Sequence, residues 1–155
     1  MPAMASDASL MLRERRGLVR VRVNWPAPEC GGPNPVLVLL WTDDEPTDRV
    51  DALCRALCAQ ACVVVLSVRT LCRDTAATAL EWAADHAADL EADPDTVLLG
   101  GVGEGRALAT QVALGARERG WPALAGDVLL LDAERTADIV ARGPFRHSQD
   151  MEGSE

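Results

Sequence analysis

Residues 96–109 read TVLLGGVGEGRALA, an apolar run that leads through a glycine-rich turn into an alanine-rich segment. The run Thr96–Gly100 is typical of a strand buried on both faces, and the segment after the turn has helical spacing of its apolar side chains. Gly101, Gly103 and Gly105 alternate through the turn, which indicates a sharp change of direction with close backbone contacts. The stretch therefore predicts one strand–turn–helix unit of an α/β protein.

The same alternation of buried strands and helices extends through most of the chain. Apolar runs predict further strands at 36–41, 62–68 and 127–132, and helical spacing predicts helices at about 48–61, 74–90 and 106–119. Residues 18–25 alternate apolar and polar side chains, so Arg20 and Arg22 are expected on the wet face of an antiparallel strand. We expect a three-layer αβα fold with a mostly parallel, doubly wound sheet of about five strands and an antiparallel edge strand near the N-terminus.

Composition narrows the function classes. The chain has 155 residues, 48% of them hydrophobic, and a formal charge of −9, which excludes a disordered chain and argues against a nucleic-acid partner. All 15 basic residues are arginine, a pattern typical of a high-GC bacterium, and this excludes lysine-dependent chemistry. No apolar run approaches the roughly 18 residues of a membrane span, so no membrane association is expected.

We expect a mobile arm over 1–16, a single domain over 17–142 and a disordered acidic tail over 143–155.

The five cysteines are an odd number in a chain whose N-terminus lacks the apolar core of a secretory signal, so we expect a cytoplasmic protein without a disulfide framework. Cys54, Cys58 and Cys62 recur every four residues, along one face of a helix. This is not a zinc or iron–sulfur spacing, so we predict small buried side chains, with a redox or metal role as the alternative. No metal and no cofactor are expected.

Several motifs occur in order between residues 18 and 133. VVVLSVR ends at Arg69, DTAATALEW covers 74–82, GVGEGRALA covers 101–109, and ARERGWPALAGDVLLL follows. In this order and spacing they resemble the N-terminal half of α/β-hydrolases of the hormone-sensitive lipase/esterase type. The resemblance implies that the GVGEG turn corresponds to the family's nucleophile elbow, G-x-S-x-G, where a sharp turn exposes a catalytic serine at the top of the sheet.

The differences from the family affect the chemistry. Gly103 occupies the nucleophile position, within a degenerate elbow formed with Gly101, Val102, Glu104 and Gly105. The family's His-Gly-Gly-Gly oxyanion loop is replaced by Trp41, Thr42, Asp43 and Asp44, and two carboxylates there would repel a developing oxyanion. The resemblance also implies that the strands carrying the family's acid and histidine would come after residue 133. No catalytic residue is therefore expected, and the candidate ligand-binding residues at the sheet edge are Asp132, Ser67 and Arg69.

Three functional hypotheses follow. The first is a catalytically inactive protein that acts as an interaction, regulatory or small-ligand-binding module. The second is a carboxylic-ester hydrolase that is completed by a partner chain or uses an atypical nucleophile. The third is a nucleotide-binding protein that uses Gly100–Gly105 at a helix N-terminus. Because the strand Asp127–Asp132 would be an unprotected edge, we also expect a homodimer or a protein partner that covers it.

Overall fold

The computed structural model describes residues 6–14 and 17–132, which form a six-stranded sheet with helices on both faces. The strands are β1 (Asp7–Glu14), β2 (Gly17–Asn24), β3 (Asn34–Trp41), β4 (Val64–Arg69), β5 (Ala92–Val102) and β6 (Leu129–Leu131). The helices are α1 (Thr47–Ala61), α2 (Arg73–His86) and α3 (Gly105–Arg119), with short 3-10 turns at Pro28–Cys30 and Ala88–Leu90.

The strand order is β1-β2-β4-β3-β5-β6. The four strands β4, β3, β5 and β6 run parallel, whereas β1 and β2 are antiparallel to their neighbours. The α/β class, the doubly wound arrangement and the antiparallel strands at the N-terminal edge are confirmed. The count of about five strands becomes six in the described residues because β1 lies outside β2.

Strand β1 occupies residues for which the sequence predicted a mobile arm. It pairs with β2 along its whole length, from Asp7 opposite Asn24 to Glu14 opposite Gly17. Leu12 is only 6% exposed and packs into the core. Hydrogen bonds to the backbone N–H and C=O groups at the edge of β2 stabilise this strand. The amino-acid composition of residues 1–16 gives no sign of these hydrogen bonds. The acidic tail predicted at 143–155 lies outside the described residues.

The apolar run of β3 supplies both faces of the sheet. Val36, Val38 and Leu40 belong to the core beneath α2 and α3, while Leu37 and Leu39 belong to the core beneath α1. This alternation explains why the sequence of the strand is continuously apolar. Strand β6 differs from its prediction as a buried strand, because Leu130 is 60% exposed and β6 pairs only with β5 in the described part of the sheet. None of the helices in this part of the chain is long and apolar enough to cross a membrane.

The cysteines divide into two groups. Cys54 and Cys58 are fully buried against the sheet in the apolar stripe of α1, as predicted. Cys62 instead caps α1 in a left-handed conformation and forms a disulfide with Cys30. The expectation of no disulfide is therefore wrong: the loop after β2 brings Cys30 back to the end of α1, 32 residues away in sequence. The cytoplasmic location, which rested partly on that expectation, stays a prediction.

Burial of the Cys54 and Cys58 thiols predicts an alkaline loss of stability. Desolvation raises the pKa of Cys54 and of Cys58 to about 12, from 9.0. This stabilisation is fully present below pH 9 and is lost as the pH rises toward 12, because unfolding then releases protons that the folded state retains. We expect the free energy of unfolding to fall by about 3 kcal/mol between pH 8 and pH 10.

Urea unfolding across this pH range measures the effect, because the chain has no tyrosine and no lysine to titrate there. Incubation in urea at high pH is kept short to limit exchange between the thiols and the disulfide. A Cys54→Ala/Cys58→Ala variant is the control: it should be less stable at pH 8 but lose less stability on going to pH 10. An equal slope in the variant and the wild type would show that the buried thiols do not cause the alkaline loss.

Candidate functional site: the turn between β5 and α3

The turn between β5 and α3 is the one that the sequence resemblance equates with a nucleophile elbow, and it is called the elbow here; two glycines lie at its base. A β-carbon at Gly105 would overlap the carbonyl oxygen of Leu40 and lie 2.7 Å from the carbonyl carbon of that residue. One at Gly101 would lie 2.7 Å from the Cα of Arg106 and overlap the Gly105 carbonyl. The start of α3 therefore lies directly against β3 and β5, at a distance that only glycine permits. The alternating glycines predicted these close contacts.

Gly103 occupies the apex of the turn in a left-handed conformation, with φ of +56°. Its carbonyl oxygen accepts hydrogen bonds from the backbone N–H and the Nε of Arg106, at 3.1 and 2.9 Å, and its own N–H donates to the Leu131 carbonyl at 3.3 Å. The turn is thus tied to α3 and to β6. A β-carbon at Gly103 would overlap a carboxylate oxygen of Glu45 and lie 3.1 Å from its Cδ. The Glu45 carboxylate therefore lies where a side chain at position 103 would begin.

The loop after β3 determines the position of Glu45. The backbone N–H of Glu45 donates to the Thr42 carbonyl at 3.1 Å, which closes a tight turn, and the buried Thr42 hydroxyl donates to the Asp44 carboxylate. Where the resemblance implies an oxyanion loop, the chain has a turn that is held by its own backbone and side chains. Sequence reasoning identified Trp41, Thr42, Asp43 and Asp44 but missed Glu45, because no local pattern shows which loop lies over the elbow.

Three acidic residues lie at the elbow's edge of the sheet, against the single positive charge of Arg106 that contacts Gly103. Besides Glu45, Glu104 precedes α3 and Asp132 follows β6, at the same edge of the sheet. An incoming nucleotide phosphate would meet these negative charges, which disfavours the third hypothesis. No group of three or more His, Cys, Asp or Glu side chains within residues 6–14 and 17–132 is arranged to hold a metal ion.

His86, the only histidine among the described residues, lies far from the elbow. It ends α2, which begins after β4 at the elbow's edge of the sheet and runs to the opposite edge over about 21 Å. Its ring stacks on Trp82, with ring centroids 4.4 Å apart, and its Nδ1 lies 2.9 Å from the Trp82 carbonyl oxygen. His86 is therefore bound to its own helix and does not face Gly103.

The three candidate residues at the sheet edge separate into two places. Ser67 and Arg69 lie on β4 and face α1, since they pair in parallel register with Leu39 and Trp41. Asp132 follows β6, and β3 and β5 separate it from β4, a distance of about 14 Å across the sheet. The structure thus brings Ser67 and Arg69 together and does not bring Asp132 to them.

Ser67 and Arg69 line a cavity of about 460 Å³ between β2, β4 and the N-terminal half of α1. Arg20, Arg22 and Asp51 also line this cavity. The sequence predicted that both arginines lie on one solvent-exposed face of a strand, but it did not predict that they lie beside Ser67. The Arg69 guanidinium lies 3.3 Å from Asp43 and 5.8 Å from the ring centroid of Trp41. Arg69 is an exposed side chain, and Asp43 is its ion-pair partner.

The similarity of this chain to known proteins is a similarity of fold. No family model and no curated protein matches the chain. Among solved structures, the thermophilic carboxylesterase EstE1 from a metagenomic library matches with a TM-score of 0.73 and 24% identity, over 84% of this chain and 47% of that one. An esterase of Pyrobaculum calidifontis matches at 0.68 and 24%, over 79% and 43%. The protein DphMB1 matches at 0.66 and 30%, over 76% and 42%.

The chain spans less than half the length of each of these structures. The parts that match make up 76 to 84% of this chain. Over these parts, the chain has the α/β-hydrolase fold of the esterases.

Proposed function

We propose that this chain is an α/β-hydrolase-like protein that does not hydrolyse esters and instead serves as an interaction, regulatory or small-ligand-binding module. The observation that carries the proposal is the elbow itself. Gly103 has no side chain to act as a nucleophile, and the Glu45 carboxylate lies where one would begin. A carboxylate at this point also opposes the negative charge that develops in ester hydrolysis.

The surroundings of the elbow support the same proposal. A serine nucleophile needs a histidine within hydrogen-bonding distance, and His86 lies at the opposite edge of the sheet. The loop after β3 presents Asp43 and Asp44 where an esterase would present backbone donors. Because these groups act together, removing several of them leaves little catalysis.

Hydrolysis of p-nitrophenyl butyrate tests the proposal. We expect no turnover above the uncatalysed rate by the wild type, and none by Gly103→Ser, because the new hydroxyl would lie against Glu45 with no histidine among the described residues to accept its proton. A Glu45→Ala/Gly103→Ser variant removes the carboxylate as well and should also be inactive. Fluorophosphonate labelling of the wild type gives a second readout and should be negative.

The alternative is a carboxylic-ester hydrolase that is completed by a partner chain or uses an atypical nucleophile. The fold that the chain shares with esterases favours it, and so does the sharp turn itself, with a positive φ at Gly103 and close packing at Gly101 and Gly105. Butyrate ester turnover by the purified wild type, abolished by Gly103→Ala or Asp132→Asn, would overturn the non-hydrolytic proposal in its favour.

We further propose that a second copy of the chain or another protein covers β6. Leu130 is exposed there, and β6 has only β5 as a neighbour in the described residues. An open edge with apolar side chains pairs readily with another strand. We expect light scattering at micromolar concentration to give a dimer, and Leu130→Arg to shift it toward monomer. A monomeric wild type under these conditions would contradict the homodimer.

A further inference from the structure

We infer that the cavity between β2, β4 and α1 binds a small organic acid, with its carboxylate among the arginines and a short apolar tail beside Trp41. This inference rests on the proposed ligand-binding function and names the chemistry of the ligand. The cavity lies at the end of β4, two strands away from the elbow on β5. Its volume of about 460 Å³ is within the usual range for small-molecule sites.

The lining of the cavity carries three arginines and one carboxylate, and two further carboxylates, Asp7 and Asp43, pair with these arginines from outside the lining. Arg20, Arg22 and Arg69 face this cavity, and Asp51 is the one carboxylate among the described residues that line it. The protein as a whole carries a formal charge of −9, so this lining opposes the net charge of the chain. Arginine binds carboxylates in a planar, two-pronged arrangement, which favours an organic acid.

The arginines are held in place by weak, exchangeable partners. Arg69 pairs with Asp43 at 3.3 Å, and both side chains are more than half exposed. Arg22 pairs with Asp7 and lies 3.6 Å from Asp51. Exposed pairs of this kind contribute little stability, so a ligand carboxylate can replace Asp43 at Arg69 without a large cost.

Trp41 supplies a second, independent observation. Its side chain lines the cavity, it is only 7% exposed, and its indole N–H is buried without a hydrogen-bond partner among the described residues. Buried donors without partners are rare in folded proteins, and they mark places where a ligand or water supplies the acceptor. A ligand held by Arg69, which lies over the Trp41 ring, would therefore change the surroundings of this indole.

The apolar side of the cavity limits the ligand further. Leu18, Val19 and the ring of Trp41 lie beside the polar groups. A bare phosphate ion would leave these surfaces exposed to water, whereas a short alkyl chain would cover them. The ligand class is therefore a carboxylate with a small apolar tail.

Sodium hexanoate, hexanamide and inorganic phosphate are the probes, observed through the indole N–H signals of uniformly ¹⁵N-labelled protein. The chain has four tryptophans, and Trp41→Phe assigns the signal of Trp41. We expect hexanoate to shift the Trp41 signal and to leave that of Trp25 unchanged, since the Trp25 indole already donates to the Leu90 carbonyl at 2.9 Å. Neutral hexanamide should give no comparable shift.

Charge variants test the arginines. Arg69→Gln should weaken hexanoate binding by about tenfold or more, as expected for loss of a charged hydrogen bond. Arg55→Gln is the matched control: it removes the same charge from an exposed position of α1 outside the lining of this cavity, and it should bind like the wild type.

The inference is overturned by any of three results: no hexanoate binding at 10 mM, equal weakening in Arg69→Gln and Arg55→Gln, or tighter binding of phosphate than of hexanoate. Hydrolysis of p-nitrophenyl hexanoate would instead overturn the non-hydrolytic proposal and leave the anion site unaffected. The two failures are therefore distinguishable.

Discussion

Replacing Gly105 with alanine should reduce the free energy of unfolding by about 3 kcal/mol or more, enough to prevent folding of a marginally stable domain. The added methyl group would overlap the Leu40 carbonyl oxygen and lie 2.9 Å from the Cα of Trp41. Both contacts are backbone, so relief requires α3 to move away from β3, in a core where packing is tight. Urea unfolding followed by far-UV circular dichroism measures the loss.

Two other glycines provide controls for Gly105→Ala. Gly103→Ala meets only the flexible end of Glu45 but must hold φ of +56°, so we expect a loss of about 1 kcal/mol. Gly115→Ala lies within α3, where its β-carbon would meet only the tip of Arg119, and should stabilise by about 0.5 kcal/mol through helix propensity. Equal losses of unfolding free energy in Gly105→Ala and Gly103→Ala would contradict the close packing of Gly105 against the backbone of β3.

Removing the Cys30–Cys62 disulfide should cost about 3 to 4 kcal/mol, because the bond closes a loop between residues 32 apart and restricts the unfolded chain. The expected result is a lower urea midpoint for a Cys30→Ala/Cys62→Ala variant. Treating the wild type with dithiothreitol should lower its midpoint by a similar amount.

The variant is also the control for the reductant: dithiothreitol should not change its midpoint, since Cys54, Cys58 and Cys72 are not disulfide-bonded. Thiol counting under denaturing, non-reducing conditions gives an independent readout, with three free thiols expected. Five free thiols in the purified protein would contradict the disulfide.

Local sequence patterns were sufficient to predict the central strands and helices of this fold. The continuous apolar run of β3 and the strand–turn–helix at 96–109 are present as predicted, because a strand buried on both faces must be apolar throughout. The motif order also predicted the α/β-hydrolase fold. By contrast, β1 was missed because its stability comes from the open edge of β2 and from burial of Leu12. The local sequence of its residues did not distinguish them from a polar arm.

The candidate site also contains residues that the sequence identified and residues that it missed. Gly101, Gly103 and Gly105 were identified in sequence, since a tight turn requires glycine at those positions and the alternation is local. Glu45 was not, because it follows a different strand and reaches the elbow only through the turn at Thr42. Arg22 and Ser67 are likewise 45 residues apart and meet only because β2 pairs with β4.

The sequence by itself thus determined the alternation of strands and helices, the glycine turn and the absence of a serine at its apex, since each depends on neighbouring residues. Only the tertiary structure decided which charges surround that turn, which cysteines form a disulfide and which arginines share a cavity. The physical reason is that strand order brings together side chains that are distant along the chain, and their energies depend on distances in space. A carboxylate over Gly103 and arginines beside Trp41 result from that arrangement.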